Sequence, residues 1–434
     1  MRLVTGFQNA RKLLGREVPQ YGRYISSSGS KRKRTKEPAE LRAVEEIVKN
    51  VCERGDSALL DYTRKLDGIV LDSLEVSRAE ISEAYQRVDK RLISALQLAA
   101  DRIRGFHVIC KEKLSAAFLS NGLGRQVSPL DRVGIYVPGG TASYPSTVLM
   151  TAIPARIAGV REVIMATPPN RDGTVHPITL VAADIADVDH IFRVGGAQAI
   201  AALTFGTESI PKVDKICGPG NIFVVLAKKL VFGSVAVESL AGPSEIVIVA
   251  DETANPSLCA ADLLAQAEHD VRTFVALITV SSRLAREVVV EIERQLESLE
   301  RKAIASEAIL RGVIAVVDSM DEAIELVNLC APEHVSLMVK GAAGYISRIH
   351  NAGCILVGDC PAALGDYVAG PSHVLPTGGS ARFGSPLGVE DFLKVTNIIA
   401  LDSETSKSLS EVAIVIAEAE GLSGHARAMK MRML

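Results

Sequence analysis

The feature that most constrains the fold of this chain is a regular alternation of short apolar runs and helical stretches, which begins near Arg132. The runs have the length and β-branched content of buried strands, and the stretches between them have helical periodicity. The predicted strands are Val133–Val137, Glu162–Ala166, His190–Val194, Val213–Cys217, Ser234–Val237, Glu245–Ala250, Phe274–Val280, Gly312–Val317, Val335–Val339 and Gly353–Val357. This alternation predicts an α/β fold with two incomplete Rossmann-like domains, each a mainly parallel sheet covered by helices.

The chain has 434 residues, which is too long for one ordinary hydrophobic core, and the pattern suggests how it divides. Residues 1–37 are predicted to be a peripheral N-terminal extension. Residues 38–135 and 244–388 are predicted to form a first, discontinuous α/β domain, and residues 136–243 a second α/β domain. Residues 389–434 are predicted to form a mostly helical C-terminal tail with little core of its own.

Charge and composition argue against several classes of protein. The 48 Lys and Arg residues nearly balance the 51 Asp and Glu residues, which predicts no surface for nucleic acid. We interpret the basic run Lys31–Arg34 as a flexible turn, with a nucleic-acid contact as the less favoured alternative. No apolar run is long enough to span a bilayer, no signal-peptide core precedes Pro19, and the seven cysteines include no CxxC pair. These features predict a cytoplasmic protein with reduced thiols and no membrane partner.

Two glycine-rich turns lie where a dinucleotide could bind. Gly195–Gln198 and Gly218–Asn221 each follow a predicted strand and open a helix. Such turns direct helix N-termini and backbone N–H groups at an anion, which suits a pyrophosphate. Neither turn has the GxGxxG pattern, and close packing of strand against helix is the alternative interpretation. The sequence therefore permits an irregular dinucleotide site and excludes the ordinary fingerprint.

Gln266 and His269 stand three residues apart near the end of the predicted helix Leu258–Asp270, so both project from one helix face. An amide oxygen and an imidazole nitrogen at this spacing can hold a divalent ion. An exposed polar helix end is the alternative interpretation of this pair.

Three further polar residues stand in long or broken segments of the chain. Asp366 and His373 lie in a polar loop of more than a dozen residues, and His425 lies beyond a glycine-rich helix break. Together with Gln266 and His269, the residues Asp366 and His425 would offer two imidazoles, one carboxylate and one amide. That mixture suits Zn²⁺, Mn²⁺ or Co²⁺ acting as a Lewis acid.

Glu333 and His334 are adjacent at a predicted junction between a helix and a strand. A neighbouring carboxylate and imidazole can act as a proton-transfer pair, because histidine titrates near neutral pH. A structural pair that caps the junction is the alternative interpretation.

From about Glu37 to the C-terminus, the chain resembles the histidinol dehydrogenase family. The matching segments, in order, are Val133–Gly140, Pro145–Met150, Val194–Leu203, Gly218–Asn221, Leu240–Glu245, Gln266–His269, Ala331–His334, Gly365–Thr377 and Ala419–His425. The resemblance implies oxidation of L-histidinol to L-histidine through the aldehyde, with reduction of two NAD⁺, as the last steps of histidine biosynthesis.

The resemblance also implies roles for individual residues. Those that match the zinc ligands of the family are Gln266, His269, Asp366 and His425, and those that match its acid–base residues are Glu333 and His334. The residues that match NAD⁺-contacting positions, in the second α/β domain, are Tyr136, Gln198 and Asn221. The zinc ligands and the acid–base pair also contact substrate, together with Ser244, His373 and Glu420. The family is homodimeric, so the C-terminal tail with Glu420 and His425 is expected to reach the partner's site.

Other functions stay open at this point. The stretch Val235–Leu240 departs from the family pattern, so another small alcohol, such as a sulfonated propanediol, is the alternative substrate. A metal-dependent hydrolase or an inactive binding protein would leave the glycine turns or the acid–base pair without a role. A covalent thiol route could use only Cys217 or Cys360, and both are better interpreted as incidental cysteines.

Overall fold

Three sheets organise the part of the chain that the computed structural model describes, which comprises residues 1–16, 39–114, 117–139, 143–240 and 242–433. Two of the sheets are parallel and the third is antiparallel, so the predicted α/β class is confirmed. The basic run Lys31–Arg34 lies outside the described residues, and its interpretation stays a prediction. No helix within the described ranges is long and apolar enough to cross a membrane.

Helices make up most of the described chain before residue 115. The elements are β1 (Arg2–Thr5), α1 (Phe7–Leu14), α2 (Ala39–Arg54), α3 (Asp56–Tyr62), a π-helical turn (Thr63–Asp67), α4 (Arg78–Arg87) and α5 (Lys90–Leu114). Ser77 starts α4 with a capping box: its hydroxyl accepts from the Glu80 N–H, and the Glu80 carboxylate accepts from the Ser77 N–H. Helix α2 buries an apolar stripe of Val44, Ile47, Val48 and Val51, as its periodicity predicts.

The smaller parallel sheet carries both glycine-rich turns. It follows the antiparallel strands β2 (Phe118–Ser120) and β3 (Leu123–Pro129). Its elements are β4 (Arg132–Tyr136), α6 (Pro145–Ala158), β5 (Glu162–Ala166), α7 (Pro177–Ile185), β6 (His190–Phe192), α8 (Gly196–Phe205), β7 (Lys215–Cys217), α9 (Ile222–Val231) and β8 (Ala236–Val237). The strand order is β6-β5-β4-β7-β8. Helices cover both faces because the strands present apolar side chains on both sides.

The larger parallel sheet carries the Glu333–His334 pair. Its elements are β9 (Glu245–Ala250), α10 (Pro256–Ala267), β10 (Phe274–Thr279), α11 (Ser282–Leu296), α12 (Lys302–Arg311), β11 (Val313–Val316), α13 (Met320–Cys330), β12 (His334–Met338), a 3-10 helix (Ala342–Arg348) and β13 (Cys354–Val357). Strand β1 joins the outer edge of this sheet, and the strand order is β1-β11-β10-β9-β12-β13.

Both parallel sheets have the same winding order. In the smaller sheet β4 pairs with β5 on one side and with β7 on the other. In the larger sheet β9 pairs in the same way with β10 and with β12. The chain therefore reverses its direction across the sheet beside β4 and again beside β9. Open α/β sheets bind ligands at such reversal points, so both places are candidates for a site.

After β13 the chain returns towards the smaller sheet. The remaining elements are α14 (Ala362–Tyr367), 3-10 helices at Ser380–Arg382 and Val389–Phe392, β14 (Leu393–Ile399), α15 (Ser403–Ala419) and α16 (Ser423–Met433). Strand β14 pairs antiparallel with β3, which differs from the predicted helical tail. Most side chains of β14 are exposed, so the strand is held by backbone hydrogen bonds to β3 rather than by burial of every second residue. Its sequence therefore lacks the alternation of apolar and polar residues from which a strand is predicted.

Two groupings differ from the predicted domain boundaries. Strand β1 and helix α1 pack in the core of the larger sheet, so residues 1–14 are not the peripheral extension expected of residues 1–37. Helices α2 to α5 pack on the smaller sheet, in clusters that take only Val374 and Leu387 as buried residues from 244–388. Both differences have the same cause: local periodicity shows which face of an element is buried but not which partner covers it.

Candidate functional site

The start of β12 is the centre of the candidate site. Helix α13 ends at a left-handed Ala331, and Pro332 cannot continue a helix, so Glu333 and His334 enter the sheet after a sharp turn. Both side chains are buried. Strand β12 pairs with β9, whose first residue is Glu245. The pair therefore lies at the amino ends of β12 and β9, at the opposite edge of the sheet from the carboxyl ends where open α/β sheets usually bind ligands.

Main-chain groups of Glu245 orient both side chains. The Glu245 N–H donates to Oε2 of Glu333 at 2.7 Å, and the Glu245 carbonyl oxygen lies 3.1 Å from Nδ1 of His334. Because a carbonyl only accepts, Nδ1 carries the proton, and Nε2 is the nitrogen left for proton transfer. Nε2 lies 3.7 Å from Oδ1 of Asp366. In its neutral form the imidazole thus has a defined tautomer, with Nε2 beside a predicted metal ligand.

Two carboxylates flank the His334 ring. Burial lowers the pKa of His334, but the carboxylates of Glu333, with Oε2 at 3.6 Å from Nδ1, and of Asp366 raise that pKa to about 9. A buried imidazole whose pKa is shifted by specific charges is typical of a group that moves protons.

His373 connects this site to the smaller sheet. Its Nδ1 lies 2.8 Å from the main-chain carbonyl oxygen of Asp366, and its Nε2 lies 3.0 Å from the hydroxyl of Thr147 in α6. Nδ1 must donate to the carbonyl, and in a neutral ring Nε2 then accepts from the hydroxyl. Burial lowers the pKa of His373, in agreement with a neutral ring. The loop after α14 therefore links Asp366, beside the start of β12, to helix α6 of the smaller sheet.

Two of the predicted metal ligands lie at the end of α10. Gln266 is buried in the last turn, and His269 is exposed just beyond it, with its N–H donating to the Gln266 carbonyl at 3.1 Å. Asp366 lies in α14, which is a neighbour of this helix end. Burial raises the pKa of Tyr367 in α14, and the charges of Asp366 and Glu268 raise it further.

His425 and Glu420 lie on the C-terminal hairpin of α15 and α16, and both are exposed. The two helices pack on each other around Ile414, Ala417 and Ala426. No three His, Cys, Asp or Glu side chains converge to hold a metal ion anywhere in the described ranges. One chain therefore does not gather His269, Asp366 and His425, and the predicted zinc site stays a prediction that needs a second chain.

The residues predicted to contact a dinucleotide lie at the carboxyl edge of the smaller sheet. Tyr136 ends β4, and its buried hydroxyl accepts from the Gly196 N–H at 3.1 Å. Gln198 is buried, and its Oε1 has no hydrogen-bond partner among the residues that the structure describes. Asn221 caps α9, where its Oδ1 accepts from two backbone N–H groups. Helix capping is thus a structural role for Asn221, and contact with a dinucleotide stays a prediction for all three residues.

A buried ion pair holds the Gly218 turn beside Tyr136. Gly218 has φ of 114°, and a Cβ there would lie 2.0 Å from the Tyr136 carbonyl oxygen, so glycine is required. Nζ of Lys228 donates to the Gly218 carbonyl at 2.6 Å and to Oε1 of Glu238 at 2.8 Å. Glu238 in turn accepts from the Gly218 N–H at 2.7 Å. These bonds fix the turn at the reversal point of the smaller sheet.

Cys217 does not offer an activated thiol at this site. Cys217 is fully buried, and burial raises the pKa of its thiol well above the usual value. Because the thiolate is the nucleophile, this cysteine is poorly suited to covalent catalysis. Cys360 is half-buried in the loop before α14.

Sequence analysis missed three residues that bond to the site. Glu245 orients the acid–base pair, Arg16 pairs with the Glu245 carboxylate at 2.7 Å, and Thr147 bonds to His373. A signal for Glu245 was present, because it is the one charged residue of a predicted buried strand and a buried carboxylate needs a partner. Arg16 and Thr147 have no local signal, since their partners are 229 and 226 residues away.

The fold and the site together define a class of protein. The chain has two doubly wound parallel sheets and a buried carboxylate–imidazole pair at the start of β12, which is an arrangement typical of an α/β enzyme that uses acid–base chemistry. The family model for histidinol dehydrogenase matches residues 30–433. The chain therefore belongs to the histidinol dehydrogenase family and is an oxidoreductase.

Individual relatives match over nearly the whole chain. A histidinol dehydrogenase of Dehalococcoides mccartyi is 49% identical over 438 residues and covers 100% of both chains. One from Clostridium acetobutylicum is 49% identical over 407 residues, covering 93% of this chain and 94% of the relative. The crystal structure of histidinol dehydrogenase from Elizabethkingia anophelis matches with a TM-score of 0.91 at 35% identity, covering 100% of this chain and 98% of that one.

Proposed function

We propose that this chain oxidises L-histidinol to L-histidine through the aldehyde, with two NAD⁺ as hydride acceptors, in the last steps of histidine biosynthesis. The observation that carries the proposal is the buried Glu333–His334 pair, whose bonds to Glu245 leave Nε2 of His334 beside Asp366. Support for the substrate comes from similar proteins that are named histidinol dehydrogenases.

His334 is the base for the alcohol. Its Nε2 takes the hydroxyl proton as the carbinol carbon loses a hydride, and the aldehyde results. Burial lowers the pKa of His334, and Glu333, with a smaller contribution from Asp366, raises it to about 9. A cation bound to Asp366 would offset part of that rise, so that a larger fraction of the rings would be neutral and free to accept a proton at neutral pH.

Glu333 is the base for the second oxidation. Its Oε2 is held by the Glu245 N–H, which fixes the carboxylate beside the imidazole. The carboxylate takes a proton from a water that adds to the aldehyde carbon, and the hydrate then loses the second hydride to become the carboxylic acid. Ser244, His373 and Glu420 are proposed to hold the substrate, and Ser244 directly precedes the residue that orients the pair.

The donor sets fit both predicted cofactors. One amide oxygen, one carboxylate and two imidazoles suit a borderline divalent metal with positions open to substrate, and they come from Gln266, Asp366, His269 and His425. Near the reversal point of the smaller sheet, Oε1 of Gln198 has no hydrogen-bond partner within the described part of the chain and is a polar group for a dinucleotide. When bound, zinc would anchor and polarise the substrate and NAD⁺ would accept the hydrides.

We propose a homodimer in which each C-terminal hairpin completes the partner's site with Glu420 and His425. The hairpin exposes Leu409, Val412 and Val415 on its outer face. An apolar face of this kind is covered by a second copy of the chain when two-fold symmetry exchanges the arms.

The cysteines are free thiols, which agrees with a cytoplasmic location for the enzyme.

Absorbance at the NADH wavelength, with purified protein, L-histidinol and NAD⁺, tests the proposed function. We expect turnover that stops on chelation and returns when Zn²⁺ is added. Turnover of a sulfonated propanediol but not of L-histidinol would assign the alternative substrate. A complete lack of NADH with any alcohol would contradict the dehydrogenase proposal in favour of a hydrolase or a binding protein.

A further inference from the structure

An ion pair connects the N-terminal segment to the acid–base residues. Arg16 follows α1, and its Nη1 lies 2.7 and 2.8 Å from the two carboxylate oxygens of Glu245. The side chains of Arg16 and Glu245 are only 10% and 4% exposed. The guanidinium also lies over the ring of Phe274, 4.6 Å from its centroid. Glu245 is thus shared between this ion pair and the hydrogen bonds that orient Glu333 and His334.

Glu245 and Glu333 hold each other through their main chains. The Glu245 N–H donates to Oε2 of Glu333 at 2.7 Å, and the Glu333 N–H donates to Oε2 of Glu245 at 3.3 Å. The Gly378 N–H adds a bond to Oε1 of Glu245 at 3.1 Å. Because the Glu245 carbonyl also accepts from His334, a displacement of Glu245 moves both acid–base side chains.

The buried carboxylates need a cation. Burial raises the pKa of Glu245, the charge and hydrogen bond of Arg16 oppose that rise, and the nearby charge of Glu333 adds to it. An unpaired carboxylate in this place would be strongly destabilised, so it would take up a proton or turn towards solvent. Either change removes bonds that Glu245 makes to its neighbours.

We propose that Arg16 and Glu245 are positioning residues of the active site, where their ion pair fixes the main chain that orients Glu333 and His334. The inference rests on the proposed acid–base roles of those two residues. It makes the start of the chain, which the sequence predicts to be peripheral, part of the support for catalysis.

The first test compares Arg16→Gln and Arg16→Lys with Arg11→Gln, a control on the exposed side of α1. For each variant, kcat and KM for L-histidinol, zinc content and the thermal midpoint are measured. A misplaced acid–base pair should lower kcat of Arg16→Gln by roughly 10- to 100-fold, with KM and zinc content nearly unchanged. Arg16→Lys should recover part of the loss because it restores the charge without the planar guanidinium. Arg11→Gln should behave as the native enzyme.

The second test is a double-mutant cycle with Glu245→Gln. If Arg16 acts through Glu245, the double variant Arg16→Gln/Glu245→Gln should have a kcat close to that of the less active single variant. Additive losses, or a kcat per folded molecule of Arg16→Gln equal to that of Arg11→Gln, would overturn the inference. Should Arg16→Gln not fold, Arg16→Lys and Glu245→Gln decide it: native kcat in both would overturn it, and a loss confined to kcat would support it.

Failure of the proposed function has a different signature. The native chain would then not oxidise L-histidinol, or His334→Asn and Glu333→Gln would keep native turnover. If those controls behave as proposed and the Arg16 variants keep native kcat, only the positioning role is wrong.

Discussion

At the scale of single residues, the bonds to Glu245 decide how His334 and Glu333 divide the chemistry. The carbonyl of Glu245 keeps the proton on Nδ1 of His334, and its N–H holds one oxygen of Glu333. One neighbouring peptide thus gives two adjacent residues different hydrogen bonds, which suits the two tasks proposed for them: His334 as proton acceptor for the alcohol and Glu333 as proton acceptor for water.

Replacing either acid–base residue should abolish most turnover and leave the metal bound. Glu333→Gln keeps its shape but cannot take a proton, and His334→Asn removes the imidazole. We expect kcat to fall by roughly 10²- to 10⁴-fold in each, with His350→Asn, an exposed histidine, as the control. Zinc content is measured by atomic absorption alongside kcat. Loss of zinc in either variant would show that the residue is a ligand rather than an acid–base group.

We expect the buried His107 to make the free energy of unfolding depend measurably on pH. It is buried in α5, neither ring nitrogen has a hydrogen-bond partner within the described ranges, and burial lowers its pKa from 6.5 to about 4. As the pH falls, the unfolded chain takes up a proton on His107 at a higher pH than the folded chain does. The free energy of unfolding therefore keeps its full value above pH 6.5 and decreases as the pH falls from 6.5 towards 4. The loss should approach about 3 kcal/mol.

The test is urea denaturation of native protein and His107→Leu between pH 4 and pH 8, the interval that brackets the two pKa values. The free energy of unfolding should fall less steeply in acid for His107→Leu than for the native chain. His350→Leu, which removes an exposed histidine, should follow the native curve. Parallel curves for all three proteins would mean that His107 titrates normally in the folded state.

At the scale of elements, the β7–α9 turn depends on one buried ion pair. Lys228 and Glu238 are each 3% exposed, and together they bond both the N–H and the carbonyl of Gly218. The turn lies at the reversal point of the smaller sheet, where a dinucleotide is proposed to bind. Its local structure is therefore set by a charge pair, although the sequence pattern shows only the glycines.

Removing Lys228 should destabilise the chain and weaken NAD⁺ binding. Lys228→Met leaves Glu238 buried without its partner, which should cost about 3–5 kcal/mol of unfolding free energy. Lys228→Met/Glu238→Leu should recover a large part of that loss because neither charge remains. Lys229→Met, an exposed neighbour, is the matched control. Chemical denaturation and KM for NAD⁺ are the measurements, and a double variant less stable than Lys228→Met would contradict the ion-pair account.

At the scale of the whole molecule, the exposed hairpin of α15 and α16 is the basis of the proposed dimer. If His425 serves the partner's site, His425→Ala and Asp366→Ala damage different sites of a mixed dimer, and one site stays intact. Mixing the two inactive variants should restore about a quarter of native activity, since half of the dimers are mixed and half of their sites are intact.

The mixture is compared with each variant alone and with His425→Ala mixed with His269→Ala under the same refolding conditions. The second mixture should recover activity to the same extent, because Asp366 and His269 are proposed to lie in the same chain's half of the site. Recovery in neither mixture, with dimers present by light scattering, would show that the hairpin serves its own chain.

The sequence by itself determined the α/β class, and it predicted the polar residues of the candidate site. Strand and helix periods are local, so Glu245–Ala250 is recognisable from its own six residues as a buried strand. The tertiary structure alone decided what orients those residues. The tautomer of His334 depends on a carbonyl 89 residues away, and Glu245 depends on Arg16, 229 residues away. Hydrogen bonds and ion pairs act over a few ångströms in space, and local pattern carries no record of which distant segments the fold brings within that range.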